Sequence, residues 1–205
     1  MPIRPENRAP DWLSEPLADF LTAEEQHAAS VMTTSFGVDV TRTYQFWESM
    51  VGRITSGTLT DHKCAWDIEL PYTDDPIRIE VKYAQESWCR FSRETRPIFK
   101  FAAPKGRTTE KAADVIVLIG IDALEHVHAW AVPAREVRKC ASITLTSPRY
   151  RLGGQSRSRG VDSFHCPPSQ LLPEVLRSYR HHRETAAATR LAAIEATGQT
   201  ALDVA

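Results

Sequence analysis

Asp67 is followed, after twelve intervening residues, by the run Glu80-Val81-Lys82. These residue types can do chemistry together. Two carboxylates brought close to one another repel unless a cation sits between them. Magnesium takes one or two carboxylates and completes its shell with water and phosphate oxygens. A lysine beside a metal-bound water can help orient and deprotonate it. A nucleophile, a Lewis acid and a charge clamp are the parts needed to hydrolyse a phosphodiester. The plain alternative is a solvated strand face carrying a cross-strand salt bridge.

Convergence requires elements that bring 67 and 80 together. Residues 77–84, IRIEVKYA, alternate Ile77, Ile79 and Val81 with Arg78, Glu80 and Lys82. That period of two reads as a half-buried strand. Residues 64–72, CAWDIELPY, read as a second strand with Ala65, Asp67 and Glu69 on one side. Pro71 and the TDDP run at 73–76 supply the turn. In an antiparallel hairpin closed there, residue 67 lies opposite roughly residue 80, with Cβ atoms about 4.5–5.5 Å apart. Asp67 and Glu80 then face one point, and Lys82 follows on the same face.

The remaining segments frame that hairpin. A helix is expected over residues 14–32, capped by Ser14 with Pro16 in its first turn and stopped by Gly37. A second spans 39–54, capped by Asp39 or Thr41, with Tyr44, Trp47, Val51 and Ile54 on one face. Glu48 sits on this helix beside Trp47, where its carboxylate can reach over the sheet. Residues 84–95 read as helix or turn, with Trp88 in the core. Residues 97–104 form a short strand with Phe99 and Phe101 on one face. The apolar run 115–119 is a buried central strand. Strands at 127–132 and 142–146 flank a short helix over 133–140. Residues 147–168 form an arginine-rich loop before a C-terminal helix. The pattern is α/β: a mixed β-sheet core flanked by helices, with a C-terminal helical extension. The segments divide as an arm and helix at 1–37, a core at 38–146, and a basic loop and terminal helix at 147–205, together one compact domain.

The D…ExK spacing, preceded by the Glu48 helix, resembles the PD-(D/E)XK nuclease superfamily, which includes type II restriction endonucleases and archaeal Holliday junction resolvases. The order of segments over residues 38–145 is similar as well. Small restriction-like bacterial proteins share an EVK stretch followed by Gln, Ser and Trp, here Gln85, Ser87 and Trp88. Trp66 stands where many members carry proline. The resemblance implies a restriction endonuclease-like fold and a Mg²⁺-dependent DNA endonuclease, with Mn²⁺ substituting, in restriction, phage defence or DNA repair. It implies Asp67, Glu80 and the Val81 carbonyl as metal ligands, Lys82 as the water-activating group, and Glu48 as a further acidic member. Gln85 would touch the metal-bound water or the DNA backbone. A homodimer would face two sites toward two strands.

Arg78, on the Glu80 face, can pair with that carboxylate or meet phosphate. Arg149, Arg151, Arg157 and Arg159 make the glycine-containing stretch RYRLGGQSRSRG a surface for DNA phosphates. The net charge of −1 does not exclude this, because placement matters more than total. With 42% hydrophobic and 25% charged residues, the 205-residue chain is of the globular class. No apolar run approaches a membrane span and the N-terminus lacks a signal core, so the expectation is a cytoplasmic protein without membrane contact. Cys64, Cys89, Cys140 and Cys166 lack C-x-x-C spacing and read as free thiols rather than a zinc knuckle. His126 and His128 bracket one strand position and read as strand-face residues. No P-loop is present, so no nucleotide cofactor is expected. Two other readings stay open: a catalytically inactive subunit of the same fold that binds DNA or a partner, and a structural protein whose EVK is a surface salt-bridge ladder.

Overall fold

The computed structural model describes residues 13–61, 64–73, 75–91, 94–104, 113–137, 142–148 and 160–197. Along the chain run β1 (Ser14–Pro16), α1 (Ala23–Phe36), α2 (Tyr44–Thr55), β2 (Thr58–Leu59), β3 (Ile68–Leu70) and β4 (Ile77–Arg90). There follow β5 (Thr95–Phe101), β6 (Val115–Ile121), β7 (His126–Pro133), β8 (Ile143–Thr146), β9 (His165–Cys166) and α3 (Leu171–Thr197). The class is mixed α/β, with a mostly antiparallel open sheet. Strand order is β1-β7-β6-β4-β3-β2, with β5 joining β4 to β8 and β9 added on β7. Among the described strands only β4 and β6 pair in parallel.

The sheet is covered on both faces, and this explains the composition of β6. On one side Trp47, Met50 and Val51 of α2, with Leu171 and Val175 of α3, pack on Ile79, Val81, Val117 and Ile119. On the other, Ile116 and Leu118 pack with Phe99, Phe101, Trp130 and Val132. All seven residues of β6 are buried, so each needs an apolar side chain whichever way it points.

Helix boundaries follow local capping. The first helix starts at Ala23 rather than near Ser14. Thr22 and Glu25 form a capping box, each side chain bonded to the other's backbone N–H. Residues 14–16 pair with β7 instead. α2 begins after Thr43, whose hydroxyl accepts from the Phe46 N–H, while Asp39 caps the preceding 3-10 turn. Trp47 and Val51 are buried as the spacing predicts, but Tyr44 is 61% exposed. Gly57 lets the chain leave α2 against β3, since a Cβ there would lie 2.5 Å from Ile68 Cγ2.

The largest departure from the sequence reading is β4. Residues 84–90, expected as helix or turn, continue the strand through Arg90: Ala84 and Gln85 still pair in parallel with β6, and residues 86–90 pair antiparallel with β5. The Phe91 N–H donates to the Glu94 carbonyl at 2.7 Å and closes this second hairpin. Cross-strand pairing thus overrides a stretch with weak β-propensity. Trp88, expected in the core, is 60% exposed on this extension. The helix expected over 133–140 is a 3-10 turn at Ala134–Glu136 in its described part. Among the described residues, no helix is long and apolar enough to cross a membrane.

Candidate active site

The β3–β4 hairpin has the register that residue spacing implied: Ile68 pairs with Ile79, and the Asp67 N–H donates to the Ile79 carbonyl at 2.9 Å. Residues 64–67 are bends rather than strand, so β4 outruns its neighbour here. The Asp67 carboxylate fills the gap and accepts from the Val81 N–H at 2.8 Å. Since N–H and C=O of one strand residue point to the same side, the Val81 carbonyl faces this notch too. Lys82 Nζ donates to it at 3.3 Å.

Glu80 and Lys82 share the other face of β4 from Val81. Parallel pairing sets them beside Ile116 and Leu118, in the aromatic-rich layer under β5. Glu80 is fully buried, and Lys82 and Asp67 are each 8% exposed. Lys82 Nζ lies 2.6 Å from Glu80 Oε1. The solvated outer face is therefore excluded: both faces of β4 are buried from Ile79 through Lys82. An ion pair in such surroundings must offset several kcal/mol of desolvation per ion. It is not a feature a strand acquires for solubility.

A cleft of about 790 Å³ opens at the notch. Asp67, Val81 and Lys82 lie in its wall with Glu48 from α2, Arg42, Tyr44 and Tyr83, and Ala102 just past β5. Glu48 reaches the cleft because α2 packs over β4 through Trp47, whose indole stacks on Tyr83 and donates to the Thr41 carbonyl at 2.8 Å. Burial pushes the Tyr83 phenol up to about 12, so it stays protonated.

The donors here are oxygens: two carboxylates and a peptide carbonyl. They suit a hard divalent cation that keeps part of its water shell, the habit of Mg²⁺ and Mn²⁺. Among the described residues, no three His, Cys, Asp or Glu side chains cluster closely enough to hold a metal. Glu48 therefore lines the cleft without joining Asp67 and Glu80 in one such group. Asp67, Glu80 and the Val81 carbonyl remain as the residues that could hold the ion.

Two other expected residues lie off the cleft. With its amide turned so that the carbonyl faces them, Gln85 accepts from the Arg42 guanidinium at 2.8 and 3.2 Å and from the Tyr83 hydroxyl at 3.2 Å. It braces the rim. Arg78 does not pair with Glu80; its guanidinium lies 4.8 Å from the Trp66 ring centroid, and its N–H donates to Asp114. Arg149, Arg151, Arg157 and Arg159 fall outside the described residues.

Sequence reasoning missed Arg42, Tyr44 and Tyr83 as cleft residues. Only the packing angle of α2 brings Arg42 and Tyr44 there, although Tyr83 follows Lys82 directly. It also missed a buried network behind the site. His128 Nε2 lies 3.2 Å from Asp122 Oδ2, and His128 Nδ1 lies 3.3 Å from His165 Nε2. Burial would raise the Asp122 carboxyl, but His128 and the His126 and Leu124 N–H groups outweigh it and hold the group below its usual range. His128 is thus a strand-face residue, as expected, but on a buried face of β7 and with a carboxylate partner. No protein-family model and no curated protein matches the chain.

Proposed function

We propose that the protein is a metal-dependent endonuclease that hydrolyses DNA phosphodiester bonds at Asp67, Glu80 and Lys82, on a restriction endonuclease-like fold. One observation carries the reading. A buried Glu80–Lys82 ion pair lies at the edge of an open cleft whose wall includes Lys82 and Asp67. Buried pairs of this kind contribute little net stability. Their presence next to solvent-accessible space points to chemistry rather than to folding. A surface salt-bridge ladder would not be dehydrated in this way.

The roles divide among the chain's own groups. Asp67 and Glu80 supply negative charge for Mg²⁺ or Mn²⁺, with the Val81 carbonyl as a third oxygen. The bound ion supplies a Lewis acid and lowers the pKa of water. Asp67 is held in place by the Val81 N–H, so its free oxygen positions are aimed rather than mobile. Lys82 is fixed between Glu80 Oε1 and the Val81 carbonyl. Its ammonium can orient the attacking water and attract a phosphate oxygen in the cleft. Glu48 faces the same space from α2 and can accept a proton from that water. Arg42 at the rim adds a phosphate contact.

The test is cleavage of supercoiled plasmid and of branched DNA with Mg²⁺, Mn²⁺ or EDTA, wild type beside Asp67→Ala and Lys82→Ala. Metal-dependent cutting that both variants lose, with DNA binding kept, is the expected result. Cutting by Lys82→Ala at the wild-type rate refutes the assignment. DNA binding without cleavage under any cation identifies an inactive member of the fold instead.

A further inference from the structure

The cleft that holds Asp67 and Lys82 has an apolar wall that the hydrolytic chemistry does not use. Tyr44, the first residue of α2, and Leu59, the last of β2, both line it. Tyr44 is 61% exposed and Leu59 49%. Large apolar side chains exposed singly need no explanation, but these two share one cavity with the candidate site. The helix fixes their order. Tyr44, Glu48 and Gly52 are four residues apart and fall on one stripe of α2. Leu59 lies over the far end of that stripe, where a Cβ on Gly52 would come 3.8 Å from Leu59 Cδ2. Tyr44 and Leu59 therefore flank Glu48, and each step along the stripe rises about 6 Å.

Tyr44 is not committed elsewhere. Among the described residues its ring makes no aromatic contact and its hydroxyl no hydrogen bond. Trp47, stacked on Tyr83 and bonded to the Thr41 carbonyl, sets the rotation of α2. The Tyr44 ring is thus held at the cleft by the fold and not by a partner. A nucleotide offers an apolar base face, polar base edges and an anionic phosphate. The cleft wall offers a counterpart to each: Tyr44 and Leu59, the Gln45 amide beside them, and Lys82 with the Asp67 oxygens that would hold a cation. Its volume of about 790 Å³ lies within the range of sites that enclose a small ligand.

We propose that this apolar wall is a nucleobase subsite, which on the nuclease reading takes the base of a nucleotide next to the scissile phosphate. The base stacks on Tyr44, and Leu59 packs against the flanking nucleotide. A base inside a duplex has both faces covered by its neighbours, so the Tyr44 ring reaches one only where the strand is single. The substrate class is then DNA that is unpaired at the scissile bond. Base–aromatic stacking is sequence-tolerant because every base has a π-face, so Tyr44 selects an unstacked base without selecting which one.

Fluorescence anisotropy with the full chain, in Ca²⁺ as an oxygen-bound divalent cation, tests this. The labelled probes, of equal length, are oligothymidylate, an oligomer of abasic deoxyribose phosphates, and a duplex. Wild type should bind the thymidylate more tightly than the abasic strand. Tyr44→Ala is expected to weaken thymidylate binding about 5- to 150-fold, with abasic-strand affinity, duplex affinity and thermal midpoint unchanged. Tyr44→Phe keeps the ring and should hold most of the affinity. Equal thymidylate affinity of Tyr44→Ala and wild type overturns the proposal. So does the same loss on all probes, or a wild type that binds thymidylate no better than the abasic strand. Base-dependent binding that needs Tyr44, with no cleavage under any cation, would leave the subsite standing and remove the nuclease reading alone. Metal-dependent cleavage with thymidylate binding indifferent to Tyr44 would remove the subsite alone.

Discussion

Truncating Lys82 offers the sharpest test of the site's energetics. Its Nζ lies 2.6 Å from an oxygen of Glu80, a side chain with no exposed surface. At an effective dielectric of about 20, unit charges at 2.6 Å attract by about 6 kcal/mol. Several kcal/mol of desolvation per ion opposes this, so the intact pair is close to neutral for stability. Lys82→Met keeps most of the side-chain volume and removes only the charge. Glu80 then remains buried without that ammonium, at an expected cost of about 3–5 kcal/mol. With a urea slope of about 2 kcal/mol/M, the midpoint falls by about 1.5–2.5 M. The double variant Glu80→Leu/Lys82→Met removes both charges and should recover wild-type stability or exceed it by about 1–4 kcal/mol. It should also be inert toward DNA. Urea unfolding followed by tryptophan fluorescence, run on wild type, both single variants and the double, gives the coupling directly. A Lys82→Met cost below about 1 kcal/mol, the range of exposed pairs, would refute the claim that this pair is desolvated. A double variant as unstable as the single would show that the pair stabilises the fold.

Other expectations concern separate parts of the molecule. Asp67→Asn keeps an oxygen to accept the Val81 N–H, so the thermal midpoint should hold while cleavage falls by about two to three orders of magnitude; an active Asp67→Asn removes Asp67 from the chemistry. Gly120→Ala would set a methyl 2.8 Å from the Phe99 ring, which is itself packed against Phe101, Trp130 and His128. The expected cost is about 1–3 kcal/mol, partly recovered by adding Phe99→Leu, and read by thermal melting. Burial holds the His182 imidazole below its ordinary 6.5. The folded state therefore binds this proton less readily than the unfolded chain does. Its contribution is complete above 6.5 and is lost as pH falls toward the folded value. Urea midpoints above and below 6.5 should fall with pH, and His182→Gln should flatten part of that slope; an unchanged slope would assign it to other groups.

Residue order alone determined the hairpin and its register. The alternation of Ile77, Ile79 and Val81 with Arg78, Glu80 and Lys82, and the turn chemistry at 71–76, are local signals, and a turn of given length sets which residues face each other. That is why the hairpin register alone sets Asp67 opposite Glu80, in line with the Ile68–Ile79 pair. The apolar run of β6 was legible for a similar reason, since a strand covered on both faces has no polar position to vary. Burial was not legible. Whether Glu80 and Lys82 face water or protein depends on β5 and β8 folding over that face, and those contacts are remote in sequence. The same holds for Trp88. Its segment reads as helix or turn locally, and only pairing with β5 extends β4 to Arg90 and carries the indole into solvent. His128 received its carboxylate from the β6–β7 turn and its second imidazole from β9, a partner 37 residues away. Tertiary packing thus decided which charges are dehydrated and which aromatics are exposed. Both depend on what lies across the sheet, and that is written in no single stretch of the chain.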